Sequence, residues 1–229
     1  MTHSISFPKE KIPPVEQQFK LLNLLGATDG QDHLELWVKD EDKKKAGAIL
    51  EEAWVTNRQK LIGFSLAASP RWPTKNWPIE SFVELAKELG TKLNARIFLL
   101  GDENALPLTA AFDRHAFPYV TNLVHKTTLQ ELVALIGKMD MLVTGDSAPM
   151  HIAAALGTKF IALFGPTDPK RHLPPAHNFV LFKKELPCSP CYSGKCKAKE
   201  FLCMPSIQVG EVFQAIKDEL AVEKEVLMS

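Results

Sequence analysis

With 229 residues the chain is long enough to bury roughly 70–75% of its unfolded surface, so stability calls for neither a metal nor a disulfide. Apolar residues make up 45% and charged residues 24%, and 27 basic residues balance 27 acidic ones, which excludes nucleic-acid binding through a global basic field. No apolar run is long enough to span a bilayer, and the opening MTHSISFPKEKIPP lacks the apolar stretch of a secretory signal, which points to a soluble, cytoplasmic chain.

Residues 1–14 are polar and proline-bearing and read as a tail or linker. Val15, Phe19, Leu22 and Leu25 then form a helical stripe that Gly26 is placed to end. His33 to Val38 resembles a short strand, and Asp40 suits the cap of a charged helix reaching Trp54. From Lys60 the pattern becomes regular. Strands are predicted over 61–66, 95–100, 119–124, 141–144 and 160–164, with a further one over 178–182. Helices are predicted over 79–93, 104–115, 128–138 and 149–156, and a closing amphipathic one over 209–220. Thr128 with Glu131 three residues on is a capping-box pattern. Such alternation predicts an α/β fold, a parallel sheet with helices on both faces, over residues 60–229.

In sheets of this type ligands bind beyond the carboxyl ends of the strands, so the loops after strands carry the information. The first, Ala67 to Pro78, combines small residues, two cations and two tryptophans. Small residues admit an anion to the backbone and Lys75 supplies a point charge suited to phosphate; equally, the tryptophans could pack on the sheet edge above solvated cations. The second, Gly101-Asp102-Glu103, places a carboxylate where dinucleotide folds bind ribose hydroxyls, or simply an acid favoured at a helix N-terminus. The third, Gly145 to His151, joins a strand to a helix with Pro149 in the first turn, leaving free amides as an anion site. Alternatively Asp146 or Ser147 caps that helix and His151 is a packed neutral ring. The fourth, Gly165 to His172, is a rigid turn whose Thr167, Asp168, Lys170 and Arg171 would face the same mouth.

Four segments together resemble glycosyltransferase family 9, the ADP-heptose:lipopolysaccharide heptosyltransferases and their relatives. They are SPRWPTKNWP at 69–78, GDSAPMHIAAALG at 145–157, LFGPTDP at 163–169, and the cysteine stretch from LPCSPC at 186–191 to Cys203-Met204. The likeness runs in the family's order from about residue 15 to the C-terminus. It implies a GT-B architecture of two Rossmann-like halves, of which this chain resembles the C-terminal, donor-binding half; residues 15–59 would be the connection from the other half. The resemblance implies that Ser69 and Lys75 contact the diphosphate of a nucleotide-sugar donor such as ADP-heptose, and Glu103 the ribose. It places Asp146, Ser147, Ala148 and His151 around the phosphates and sugar, and Thr127 near the base. Ala148 stands where the family usually has glycine, and the general base expected in the N-terminal half has no counterpart here.

The implied activity is inverting transfer of heptose to a lipopolysaccharide core acceptor. No metal-carboxylate motif is visible and no cofactor is implied, so Lys75 and His151 would stabilise the transition state. Isolated, half a cleft should bind nucleotide weakly and transfer nothing. A non-catalytic nucleotide-sugar-binding or regulatory module is the alternative. Cys188, Cys191, Cys196 and Cys203, spaced C-x2-C-x4-C-x6-C, could be free thiols, a local disulfide or a zinc site. Lys183, Lys184, Lys195, Lys197 and Lys199 form a basic patch that is either a solvated face or a contact to an anionic acceptor or the inner membrane.

Overall fold

Every apolar segment predicted as a strand after Lys60 becomes one, because each carries a residue for both faces of a doubly covered sheet. The computed structural model describes residues 13–27, 30, 34–53, 55, 56 and 59–226, without the side chains of 222–226. The strands are β1 (Leu61–Ser65), β2 (Arg96–Leu100), β3 (Val120–Asn122), β4 (Met141–Gly145), β5 (Phe160–Phe164) and β6 (Phe179–Lys183). All pair in parallel, in the order β3-β2-β1-β4-β5-β6, the doubly wound order that reverses between β1 and β4.

The period-two alternation divides the core. Ile62, Phe64, Ile97, Leu99, Val143, Ile161 and Leu163 point to one face. There they meet Phe82, Leu85 and Leu89 of α3 (Ile79–Leu93) and Val212, Ile216 and Leu220 of α8 (Val209–Val226). Phe98, Leu100, Leu142, Phe160, Ala162 and Phe164 point to the other. They pack with Leu135 of α5 (Leu129–Ile136), Ala153 of α6 (Ala148–Leu156) and Ala46 of α2 (Asp40–Glu52). Between β2 and β3 runs α4 (Leu106–Asp113), entered through a 3-10 turn at Glu103–Ala105, so the helix expected over 104–115 is split in two. The capping box forms: Thr128 Oγ1 accepts from the Glu131 amide at 3.3 Å, and Glu131 Oε2 accepts from the Thr128 amide at 2.9 Å.

Ahead of the sheet, α1 (Pro14–Leu24) forms as the stripe predicts and Gly26 follows it at φ +85°, yet none of its residues is buried. The strand expected over 33–38 is absent. His33 lies outside the described residues, and Leu34–Val38 is irregular with Trp37 84% exposed. Leu34–Val38 pairs with neither edge strand of the sheet, β3 or β6. The expected tail (residues 1–12 of it) and Trp54 also lie outside the described residues. Among the described residues no helix is long and apolar enough to cross a membrane.

Candidate active site

The loops after β1 and β4 leave the sheet in opposite directions at the point where strand order reverses, opening a crevice between them. Gly145 makes the approach possible: a Cβ there would lie 3.0 Å from the Lys75 carbonyl oxygen. After β1 the chain is latched by the Ala68 amide, which donates to Asn76 Oδ1 at 2.8 Å, and then tightens into a 3-10 turn at Pro73–Lys75. That turn delivers Lys75 Nζ to 2.8 Å from Asp146 Oδ2, with side chains only 13% and 6% exposed. The contact is Coulombic rather than aligned as a hydrogen bond, since Asp146 Oδ2 has no hydrogen-bond partner. The Trp72 ring lies 4.9 Å from the same ammonium. The two tryptophans have separated: Trp72 stays at the crevice while Trp77 is buried, its Nε1 donating to the Ile207 carbonyl at 3.0 Å.

Asp146 sits just before α6. Ser147 occupies the N-cap position without a side-chain cap, its hydroxyl lying 3.1 Å from Thr144 Oγ1 instead. Neither the Asp146 nor the Ser147 side chain caps the helix; Pro149 carries no amide proton and the Met150 amide donates to the Ser147 carbonyl at 3.1 Å, so the Ala148 amide is the first-turn donor left toward the crevice. Ala148 is the first helical residue and is exposed. His151, one turn in, also reaches solvent. Crowding by protein atoms nonetheless pushes its pKa below the ordinary histidine value; Asp146 pulls upward, and His172 and Lys75 push further down.

These groups border a cavity of about 370 Å³ lined by Ser65, Ala67, Ala68, Ser69, Trp72, Lys75, Gly101, Asp102, Leu132, Asp146, Ser147, Ala148 and Pro149. Of the residues expected from sequence, Ser69, Lys75, Asp146, Ser147 and Ala148 stand together on its wall, and His151 is electrostatically coupled to Lys75 and Asp146. Glu103 and Thr127 do not line it. Asp102 takes the wall position, bonded to the Asn104 amide and side chain at 3.0 Å each, and Glu103 is exposed beside it. Thr127 lies in the bend before α5. The fourth loop departs from expectation. Thr167 is 1% exposed, and Asp168 caps the short helix α7 (Pro169–His172) by accepting from the Lys170 amide at 3.1 Å. None of Thr167, Asp168, Lys170 and Arg171 lines the crevice; His172, at the end of α7, is the residue that approaches Asp146.

The cysteine stretch packs across these loops. Thr74 Oγ1 donates to the Ser193 carbonyl at 2.6 Å, Ser189 Oγ to the Gly165 carbonyl at 2.6 Å, and the Tyr192 amide to the Pro166 carbonyl at 2.8 Å. Its four thiols are free and border an apolar cavity of about 470 Å³. Among the described residues no group of three or more His, Cys, Asp or Glu is arranged to hold a metal. A wider cavity of about 630 Å³ lies between α3 and α4, with Lys87, Arg114 and His115 on its wall, away from the loops after β1 and β4.

The profile of glycosyltransferase family 9 (heptosyltransferase) matches residues 2–202. The chain belongs to glycosyltransferase family 9. Among family relatives, lipooligosaccharide heptosyltransferase 2 of Campylobacter jejuni is 29% identical over 167 residues, 72% of this chain and 52% of the relative. A solved family 9 glycosyl transferase from Veillonella parvula superposes with a TM-score of 0.81 at 21% identity, over 95% of this chain and 62% of that one. The ADP-heptose LPS heptosyltransferase II of Escherichia coli gives 0.66 at 25% identity, over 83% and 54%. The chain therefore spans about half the length of the family 9 relatives it matches.

Proposed function

We propose that residues 60–229 form the nucleotide-sugar-binding half of a family 9 heptosyltransferase, with residues 15–59 leading in from the half that binds acceptor. The observation that carries this is the Lys75–Asp146 pair set against the uncapped N-terminus of α6 at the reversal of strand order. Lys75 and the Ala148 amide at the start of α6 supply charge and a directed donor for a diphosphate. Ser69 flanks them, and Asp102, with Glu103 beside it, faces the ribose. Leu132 and the bend at Thr127 border the base. His151 stands where the sugar-bearing phosphate would reach the helix.

In the transfer, an acceptor hydroxyl attacks the anomeric carbon as the bond from that carbon to the diphosphate oxygen breaks. The configuration inverts in this single displacement. The hydroxyl proton passes to a base in the acceptor half, and the nucleoside diphosphate leaves carrying the electron pair. Lys75 and the N-terminus of α6, through the Ala148 amide, stabilise the negative charge that grows on the leaving group, and removing one such donor typically costs about 10²–10³ in rate. No metal is needed for this step. The donor is an ADP-heptose-like nucleotide sugar and the acceptor a lipopolysaccharide core. Residues 60–229 bind donor, and transfer needs both walls of the cleft so that donor and acceptor are held together. Of the basic patch at Lys183, Lys184, Lys195, Lys197 and Lys199, the first two are ion-paired to Glu185 and Glu211, and the exposed three within the cysteine segment would meet the anionic acceptor or the cytoplasmic face of the inner membrane.

Calorimetric titration of ADP-, UDP- and GDP-sugars tests the proposal. Binding of the ADP-sugar that weakens on Lys75→Ala supports it; no binding of any nucleotide sugar overturns it. A non-catalytic binding module shares these donor contacts and would be favoured if chain and acceptor half together bound donor without turnover.

A further inference from the structure

Asp146 has chargeable neighbours on two sides. Toward β1 it meets Lys75, and toward β5 it meets His172, whose Nδ1 lies 3.9 Å from the same Oδ2. The placement of His172 is built rather than incidental. It closes α7, which Asp168 caps, and its ring lies 5.9 Å from that of Tyr192 at an interplanar angle of 47°. Tyr192 in turn is fixed to the exit of β5 through its backbone amide, which donates a hydrogen bond to the Pro166 carbonyl. His172 keeps 35% of its side chain exposed, whereas Asp146 beneath it keeps 6%, so a ligand can reach the imidazole. With Nδ1 toward the carboxylate, Nε2 is the nitrogen left to donate outward.

Strand order turns this position into a direction along the ligand. The crevice wall is made by residues that follow β3, β2, β1 and β4 and stops there; the loop after β5 is the next along the edge. A nucleoside seated near Asp102, with its first phosphate at Lys75 and the start of α6, must send its second phosphate toward β5. Resting on the donor-site reading above, we propose that His172, braced by Tyr192, binds the sugar-bearing phosphate and sets the preference for diphosphate over monophosphate nucleotides. Tyr192 is the positioning residue: its ring holds the imidazole and its hydroxyl is not required for that contact.

The test is a titration of ADP and AMP against this chain and its variants. His172→Ala should weaken ADP at least about tenfold, as expected for loss of a charge-assisted hydrogen bond, and leave AMP within about twofold. His172→Lys should restore much of the ADP affinity. Tyr192→Phe should keep the ADP-to-AMP ratio and Tyr192→Ala should lower it. Equal loss of ADP and AMP in His172→Ala, or unchanged ADP affinity, overturns the inference and leaves the donor-site reading intact. If the unsubstituted chain binds neither nucleotide, that reading fails and the inference falls with it.

Discussion

Lys75 and Asp146 meet at 2.8 Å across the crevice between the loops that follow β1 and β4, both largely withdrawn from water. A buried carboxylate stripped of its cation is left uncompensated, at a cost of about 3–5 kcal/mol, whereas neutralising both partners costs far less. Lys75→Ala should therefore lower the melting temperature strongly, and Lys75→Met combined with Asp146→Asn should recover most of it. Donor affinity should stay low in both variants, because the cation that faces the diphosphate is missing from each. Thermal melts beside ADP-sugar titrations separate the two roles. Recovery of donor binding together with stability would show that Lys75 is purely structural.

The pKa of His151 lies below the ordinary histidine value, so its ring is neutral at pH 7 in the free chain. A bound diphosphate favours the imidazolium and raises the pKa in the complex. Binding then takes up a proton: affinity rises as pH falls through the pKa of the complex and levels off below that of the free chain. An ADP-sugar is the ligand of choice, because its diphosphate lacks the terminal phosphate that titrates near pH 6. Titrations between about pH 5 and 8 should show this rise, and His151→Gln should remove most of it. Asp146, His172 and Lys75 are the charged or chargeable groups that face the same ring, so the comparison that isolates His151 is the unsubstituted chain against His151→Gln at each pH. A flat profile for the unsubstituted chain would count against any role for His151 at the phosphates.

The sheet was legible because its signals were redundant: runs such as FIALF and RIFLL are too short for buried helices and carry apolar residues for both faces. The loops that matter could be located from topology alone, since carboxyl ends of parallel strands are where ligands collect. Side-chain direction within those loops was not legible. A one-residue difference places Asp102 on the wall and Glu103 in solvent, and it depends on where the 3-10 turn begins. The turn at 165–172 hid a short helix whose cap occupies Asp168 and whose last residue, His172, is the one brought to Asp146. Alternation at 34–38 failed for a different reason: a strand needs a partner as well as a pattern, and this segment pairs with neither edge strand, β3 or β6.

The capping box at the start of α5 gives a prediction independent of any ligand. Thr128→Ala removes one side-chain acceptor for the Glu131 amide and should cost about 1 kcal/mol in chemical denaturation. Glu131 is held below the usual carboxylate range, first by the Thr128 amide and then by Lys45 of α2 at 3.2 Å. A depressed pKa contributes stability above the unfolded value and loses it as pH falls through the folded one. The unsubstituted chain should thus lose this increment below the ordinary glutamate value of 4.5, and Glu131→Gln should not. Identical acid profiles for the two would mean that the Lys45 and Thr128 contacts to Glu131 are not held in solution.

The seating of the cysteine segment on the β1 loop can be read from its thiols. A Cβ at Gly194 would fall 2.2 Å from the Arg71 carbonyl oxygen, a backbone atom that cannot rotate aside. Gly194→Ala should therefore lift the segment locally, at about 1–3 kcal/mol by the usual cost of overpacking. Burial pushes the Cys203 thiol pKa up; the Met204 backbone opposes this, and the thiols of Cys191, Cys188 and Cys196 add to it. Since the thiolate is the reacting species, iodoacetamide should modify exposed Cys188 and Cys191 first and Cys203 last, as followed by peptide mass spectrometry. In Gly194→Ala the lag at Cys203 should shorten, because lifting the segment returns water to its sulfur. Cys203 labelled as fast as Cys188 in the unsubstituted chain would mean that the segment does not sit on the loop that carries Lys75.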